Sequence, residues 1–307
     1  MFVDNVIPAL HDLLAEGRRT ALVTLLHIDG SSPRPRGSQL GVADDGRSIG
    51  MITGGCAEKA IVAEALQCLE RGENKIVRYG DGSPYLDVVL PCGSGIDLFI
   101  ETKSSAEIIR EAHERQQRRE SVWMAIDRST LESRCLDHPD DALETEAVNR
   151  YEPDYRLLVF GEGTNLISFC AVAQASGLTI SAYSPDQASI DLLLKNGIEG
   201  HHIHRQSQFD ALAIDEFTGI VTLFHEHEWE SAILHTALNS DADYIGALGS
   251  QATHSRRLQM LATLPATKRS ADGIHGPVGL DIGAANPAEI AIAILSEITA
   301  HRRGKIR

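Results

Sequence analysis

Tyr155-Arg156-Leu157-Leu158-Val159-Phe160-Gly161-Glu162-Gly163 is an apolar run closed by a glycine-bearing turn. The pattern predicts a strand over 155–160, a tight turn, and a helix over 164–176. The same rhythm recurs downstream. Strands are expected at 179–183, 218–224 and 244–248, with a short one at 201–204, and helices at 186–196, 229–239, 250–264 and 287–301. Pro287 sits in the first turn of the last helix, where its missing N–H is harmless. Strand–helix alternation of this kind builds a doubly wound parallel sheet. The chain is therefore read as α/β, with a Rossmann-like domain over 151–307.

Upstream the rhythm differs. A helix is expected over 2–17, a buried strand over 20–28, and short strands at 39–43 and 47–52. A helix then runs from Cys56 to near Gly72, followed by strands at 75–79, 86–90 and 96–101, a helix at 104–120 and a strand at 122–127. This is a mixed α/β N-terminal domain, 1–150. Residues 129–153 turn acidic and turn-prone, which predicts the domain boundary there.

The chain has 307 residues and a formal charge of −15. That charge opposes a general nucleic-acid or acidic-membrane surface, though glycine loops and helix starts still bind small anions locally. No apolar run is long enough to span a bilayer, and Met1-Phe2-Val3-Asp4-Asn5 does not open a signal peptide, so the cytoplasm is expected. Five widely spaced cysteines fit reduced thiols better than a disulfide framework.

Three glycine-bearing loops carry the chemistry of the first half. Thr53-Gly54-Gly55-Cys56-Ala57-Glu58 sets a thiol near the positive end of a helix dipole, where thiols serve as nucleophiles and soft-metal ligands. Glu58, early in that helix, is placed to orient the thiol or to bind a ligand. Leu90-Pro91-Cys92-Gly93-Ser94-Gly95 holds a second thiol in a turn that backbone can approach closely. Gly30-Ser31-Ser32-Pro33-Arg34-Pro35-Arg36-Gly37 holds Arg34 and Arg36 beside prolines, a stiff setting for phosphate or carboxylate recognition. Small buried thiols and plain surface charge explain the same residues structurally.

In the second half, Gly161 and Gly163 stand where a dinucleotide loop would. A third glycine would fall at Leu166, and Ser184 occupies the place of a ribose-binding carboxylate. A tight turn explains both glycines without any bound NAD(P). Gly249-Ser250 opens a helix and exposes amides to an anion, and the glycine-rich segment holding His275 and Asp281 reads as a ligand-lining loop. His225-Glu226-His227-Glu228 lacks the His-Glu-x-x-His spacing of a zinc helix and reads as crevice lining.

Taken in order, Gly30-Ser31-Ser32-Pro33-Arg34, Gly54-Gly55-Cys56-Ala57-Glu58, Pro91-Cys92-Gly93-Ser94-Gly95-Ile96-Asp97 and Gly161-Glu162-Gly163 resemble the XdhC/CoxI family. So do Tyr244-Ile245-Gly246-Ala247-Leu248-Gly249-Ser250 and His275-Gly276-Pro277-Val278-Gly279-Leu280-Asp281-Ile282-Gly283-Ala284. The family comprises xanthine dehydrogenase accessory proteins. The resemblance implies a chaperone, not an enzyme, that binds molybdenum cofactor, supports its sulfuration and inserts it into a xanthine dehydrogenase-type molybdenum hydroxylase. It also implies a homodimer, with a cysteine desulfurase as a further partner. On that reading Cys56 and Cys92 contact molybdenum. Arg34, Gly54, Gly55, Gly93, Gly249 and Ser250 then hold the phosphate or pterin, Glu58 assists, and His275 and Asp281 line the far wall. One departure is Thr164, where members often carry His. The alternative is an NAD(P)-dependent oxidoreductase using the C-terminal domain.

Overall fold

The computed structural model describes residues 5–83, 95–205, 208–224 and 229–306. The chain divides into two compact units, Met1–Pro153 and Asp154–Arg307.

The first unit is built on a five-stranded sheet in the order β3-β2-β1-β5-β4, from β1 (Thr20–Asp29), β2 (Gln39–Ala43), β3 (Ser48–Gly50), β4 (Lys75–Gly80) and β5 (Gly95–Glu101). Every neighbouring pair is antiparallel. Apolar residues fill both faces of β1, so its sequence reads as a continuous run. Ala21, Val23 and Leu25 pack under α2 (Glu58–Arg71), against Ile61, Ala65 and Leu69. Leu22 and Leu26 face the other way, toward α1 (Ile7–Ala15) and α3 (Ser105–Gln117). The α2 helix stops at Gly72, whose left-handed backbone closes the last turn.

A second, three-stranded sheet of β6 (Val122–Asp127), β7 (Glu132–Leu136) and β8 (Glu146–Tyr151) packs on that side. Its last two strands occupy the segment expected to be an irregular boundary. They were obscured because one face of each is polar and exposed, which leaves only an intermittent apolar signal. The strand expected at 86–90 lies outside the described residues.

The second unit is the doubly wound parallel sheet expected from its rhythm. It comprises β9 (Arg156–Gly161), β10 (Thr179–Ser184), β11 (Glu199–His202), β12 (Thr218–Leu223) and β13 (Tyr244–Ala247), in the order β11-β10-β9-β12-β13, all parallel. Leu157 and Val159 face α4 (Gly163–Ala175), α5 (Gln187–Lys195) and α8 (Pro287–Arg302). Leu158 and Phe160 face α6 (Glu230–Asn239) and α7 (Gln251–Leu261). The strand order reverses between β9 and β12, so the loops after those strands flank the crevice where such folds bind ligands. Pro287 occupies the first turn of α8, and the Asn286 side chain caps the amides of Ala288 and Glu289.

Candidate functional site

In the first unit, topology gathers the glycine loops at one sheet edge. Strand β1 ends at Asp29, where the Gly30–Gly37 loop begins, and Asp29 pairs with Gly95, the residue that ends the third loop. A Cβ built on Gly54 would lie 3.7 Å from Pro33 Cγ, so the thiol loop rests against the proline-arginine loop. Gly54, Gly55 and Cys56 are all exposed. Positive φ angles of 74° at Gly54 and 107° at Gly55 explain why two glycines precede the thiol. Cys92 and Gly93 lie outside the described residues.

The helix opens at Glu58, two residues beyond Cys56, and Glu58 is what shapes the loop. The amides of Ile52 and Thr53 donate to its Oε1 at 3.1 and 2.6 Å. The Thr53 hydroxyl and the Gly55 amide donate to Oε2 at 2.5 and 2.7 Å. The Thr53 oxygen in turn accepts from the Ala57 amide at 2.9 Å. Burial raises the affinity of Glu58 for a proton, but the bonds from Thr53 and the loop amides outweigh it and hold the carboxyl below its usual range. The carboxylate expected to orient the thiol or bind a ligand is therefore committed to its own backbone. The Gly55 amide, expected to hold a ligand anion, already serves that carboxylate.

Arg34 is half-buried and Arg36 exposed. Beside them stands a charged network that the sequence reading missed. Arg78 bonds Asp97 at 2.9 Å, also bonds Asp29, and donates from Nε to the Asp81 carbonyl at 2.8 Å. His27 Nε2 lies 2.9 Å from Asp29 Oδ1, and because a carboxylate only accepts, that nitrogen carries the proton. His27 Nδ1 then accepts from Arg36 at 3.4 Å. The bond from Arg78, seconded by His27, holds the Asp29 carboxyl below the usual carboxylate range. The signal was present: Arg78 and Asp97 sit directly opposite across β4 and β5, a favourable cross-strand pair in otherwise apolar strands.

The candidate residues of the second unit are largely occupied by structural work. Gly161 is dictated by close strand approach, since a Cβ there would come within 2.8 Å of Leu223 Cβ. The Gly163 amide donates to the buried Ser189 hydroxyl at 2.9 Å. Asp186 caps α5 by accepting from the Ser189 amide at 3.0 Å, and Ser184 is fully buried, bonding the Asp186 amide at 3.1 Å. The Ser250 hydroxyl caps α7 by accepting from Thr253 at 3.1 Å, beside Gly249. His275 extends the sheet next to Gly246 and stacks on Tyr244 with ring centroids 4.5 Å apart. Its Nδ1 lies 3.5 Å from Glu297 Oε1. Asp281 is exposed.

A further missed element lies deep in this unit. Arg257 and Glu230 form a paired salt bridge at 3.0 and 3.1 Å, with both side chains at most 1% exposed. Thr222 donates to the same carboxylate at 2.9 Å, and Arg257 also reaches the Leu248 carbonyl at 2.6 Å and His254 at 3.2 Å. The network ties β12, β13, α6 and α7 together beneath the Gly249 turn. Among the described residues no cluster of three or more His, Cys, Asp or Glu is arranged to hold a metal ion. His225 to Glu228 lie outside the described residues.

Residues 13–80 match the model of the XdhC and CoxI family, and residues 157–298 match that of the XdhC Rossmann domain. The molybdenum cofactor insertion chaperone PaoD of Escherichia coli K12 is 31% identical over 295 residues, spanning 95% of this chain and 86% of its own. The chain belongs to the XdhC/CoxI family. Another XdhC/CoxI-like relative, a probable xanthine dehydrogenase component from Bacillus subtilis 168, is 24% identical, with 97% of this chain and 98% of that one aligned. The fold is shared with a crystal structure described as a xanthine dehydrogenase from Bacillus halodurans. The TM-score is 0.80 at 20% identity, covering 98% of this chain and 96% of that one. Arg34, Gly54, Gly55, Cys56 and Glu58 all fall within the XdhC and CoxI match, and Gly161 to Asp281 within the Rossmann match.

Proposed function

We propose that this protein is an accessory chaperone that carries molybdenum cofactor and inserts it into a xanthine dehydrogenase-type molybdenum hydroxylase. The observation that carries the reading is the exposed Cys56 in the Gly54-Gly55 loop, resting on the loop that holds Arg34 and Arg36. The cargo is an anionic pterin dithiolene with a phosphate and a thiophilic metal. A thiolate suits the metal end, and arginine the phosphate. The donor set fits: a Cβ built on Gly55 would meet nothing within 4 Å, so the backbone beside the sulfur is open to a bulky ligand.

In this reading Cys56 and Cys92 face the metal, Arg34 and Arg36 take the phosphate, and Glu58 fixes the loop that presents Cys56. The protein holds the cargo while a cysteine desulfurase supplies the terminal sulfur, then releases it to the hydroxylase. It works in the cytoplasm as a homodimer. Among the described residues no helix is long and apolar enough to cross a membrane. The oxidoreductase alternative draws no support from the Rossmann turn, because the Gly163 amide that a dinucleotide would use is bonded to Ser189.

The test is co-expression with a molybdenum hydroxylase, followed by assay of copurified pterin and of hydroxylase activity. Cys56→Ser should lose bound pterin and activation together. A Cys56→Ser protein that keeps both refutes the thiol assignment. Tight NAD(P) binding in the absence of any pterin binding would favour the oxidoreductase.

A further inference from the structure

The C-terminal end of α8 borders a cleft of about 660 Å3, with Leu178, Ile292 and Leu295 along its floor and Arg302, Arg303 and Lys305 on its rim. None of the described residues lining it is acidic, on a chain with 43 Asp and Glu against 28 Lys and Arg. Arg302 stacks over Tyr155 at 4.0 Å, while among the described residues Arg303 and Lys305 have no ion-pair partner. Ile292 is 49% exposed, an apolar floor left open to solvent. A favourable helix-end dipole accounts for Arg302 in the last turn but not for Lys305, which lies beyond Gly304.

The opposite character appears on the β7–β8 connection, where Asp140, Asp141 and Glu144 surround Leu143. Leu143 is 62% exposed, the most exposed large apolar side chain among the described residues. The connection is held in shape: the Leu143 amide donates to Glu146 at 2.8 Å, and Arg134 clamps the same carboxylate at 2.9 Å. A pre-shaped loop loses little freedom on docking.

We infer that these two surfaces are the halves of one contact between two copies of the chain. The Leu143 loop of each copy seats in the α8 cleft of the other. Three carboxylates meet three cations around one apolar tip and one apolar floor. Reciprocal exchange uses both surfaces on each copy and closes the assembly at two chains. The charges are exposed, so they speed and steer association and make it salt-dependent, while burial of Leu143 sets how long it lasts. The inference rests on the proposed homodimer and names its surface.

Sedimentation velocity of the full chain over a concentration series tests it, with copurified pterin assayed on the same samples. Arg303→Glu with Lys305→Glu, and separately Asp140→Lys with Asp141→Lys, should each weaken self-association at least about tenfold. All four sites are exposed, so far-UV circular dichroism should be unchanged in both variants. Mixed one to one, the two variants should pair again, because each restores the complement the other lost. Leu143→Asp should weaken pairing with no such rescue. Dimers as tight in both charge variants as in the parent would overturn the assigned surface while leaving the dimer standing, as would weakened variants that fail to pair on mixing. A parent that stays monomeric throughout would remove the dimer and its surface together, without touching the pterin result.

Discussion

Glu58→Ala removes the acceptor of four hydrogen bonds at once, from the Ile52, Thr53 and Gly55 amides and the Thr53 hydroxyl. Gly55 is exposed and water replaces its partner. The Ile52 and Thr53 amides belong to buried residues, and a buried donor left unpaired costs about 1–3 kcal/mol. Taking the lower half of that range for two amides gives about 3 kcal/mol. In a unit of 153 residues that amounts to roughly 6–12 °C in melting temperature. Glu58→Gln should fall between, near 1 kcal/mol, because one amide oxygen still serves the two buried amides and the NH2 group can donate to Thr53. The assay is urea and thermal unfolding followed by Trp123 fluorescence in a Trp229→Phe background, so that the signal reports the first unit alone. The carboxyl is held below its usual range when folded. Its stabilisation is therefore present above the unfolded glutamate pKa and lost as pH falls through the folded value. The gap between the parent and Glu58→Ala should accordingly close in acid. An alanine variant within about 0.5 kcal/mol of the parent, or a gap that persists in acid, would refute the assignment of Glu58 as the loop's organiser.

Arg257→Ala strands the Glu230 carboxylate in a site that is 1% exposed, and should destabilise the second unit by about 3–5 kcal/mol, read by Trp229 fluorescence in a Trp123→Phe background. Replacing the pair together, as Arg257→Met with Glu230→Leu, should recover most of that loss. Gly161→Ala presses a methyl against Leu223, whose Cβ and carbonyl oxygen would lie 2.8 and 3.0 Å away, for a loss of about 1–3 kcal/mol in the same assay. Maleimide labelling of the folded protein mapped by peptide mass should modify Cys56 first. Cys68 and Cys170 should react only after denaturation, since burial shields their thiols and pushes them up to about 11 and about 12.

The second unit was legible because a parallel sheet buried on both faces writes each strand as an unbroken apolar run between helices of mixed polarity. The first unit showed its central strand and α2 for the same reason. Strands β7 and β8 escaped because their exposed faces carry Glu132, Arg134, Glu146 and Arg150, which read locally as loop. The thiol loop was found through its glycines, whose backbone demands are local. What Glu58 does with its carboxylate was not, because four donors spread over residues 52–55 converge on it only once the loop has folded. Arg257 and Glu230 stand 27 positions apart, and nothing in either neighbourhood announces the other. The proline-arginine loop and the thiol loop touch through Pro33 and Gly54, two residues without side-chain chemistry, so their proximity left no chemical trace in the sequence.

The bond from the Gly163 amide to Ser189 has a consequence for how the second unit meets other molecules. Its glycine turn is furnished from within: a hydroxyl of the following helix already sits where a nucleotide's oxygen would be welcomed. A visitor to that end of the sheet is offered contour and apolar area there in place of a vacant amide, so what the unit recognises at this turn is set by fit more than by attraction for an anion.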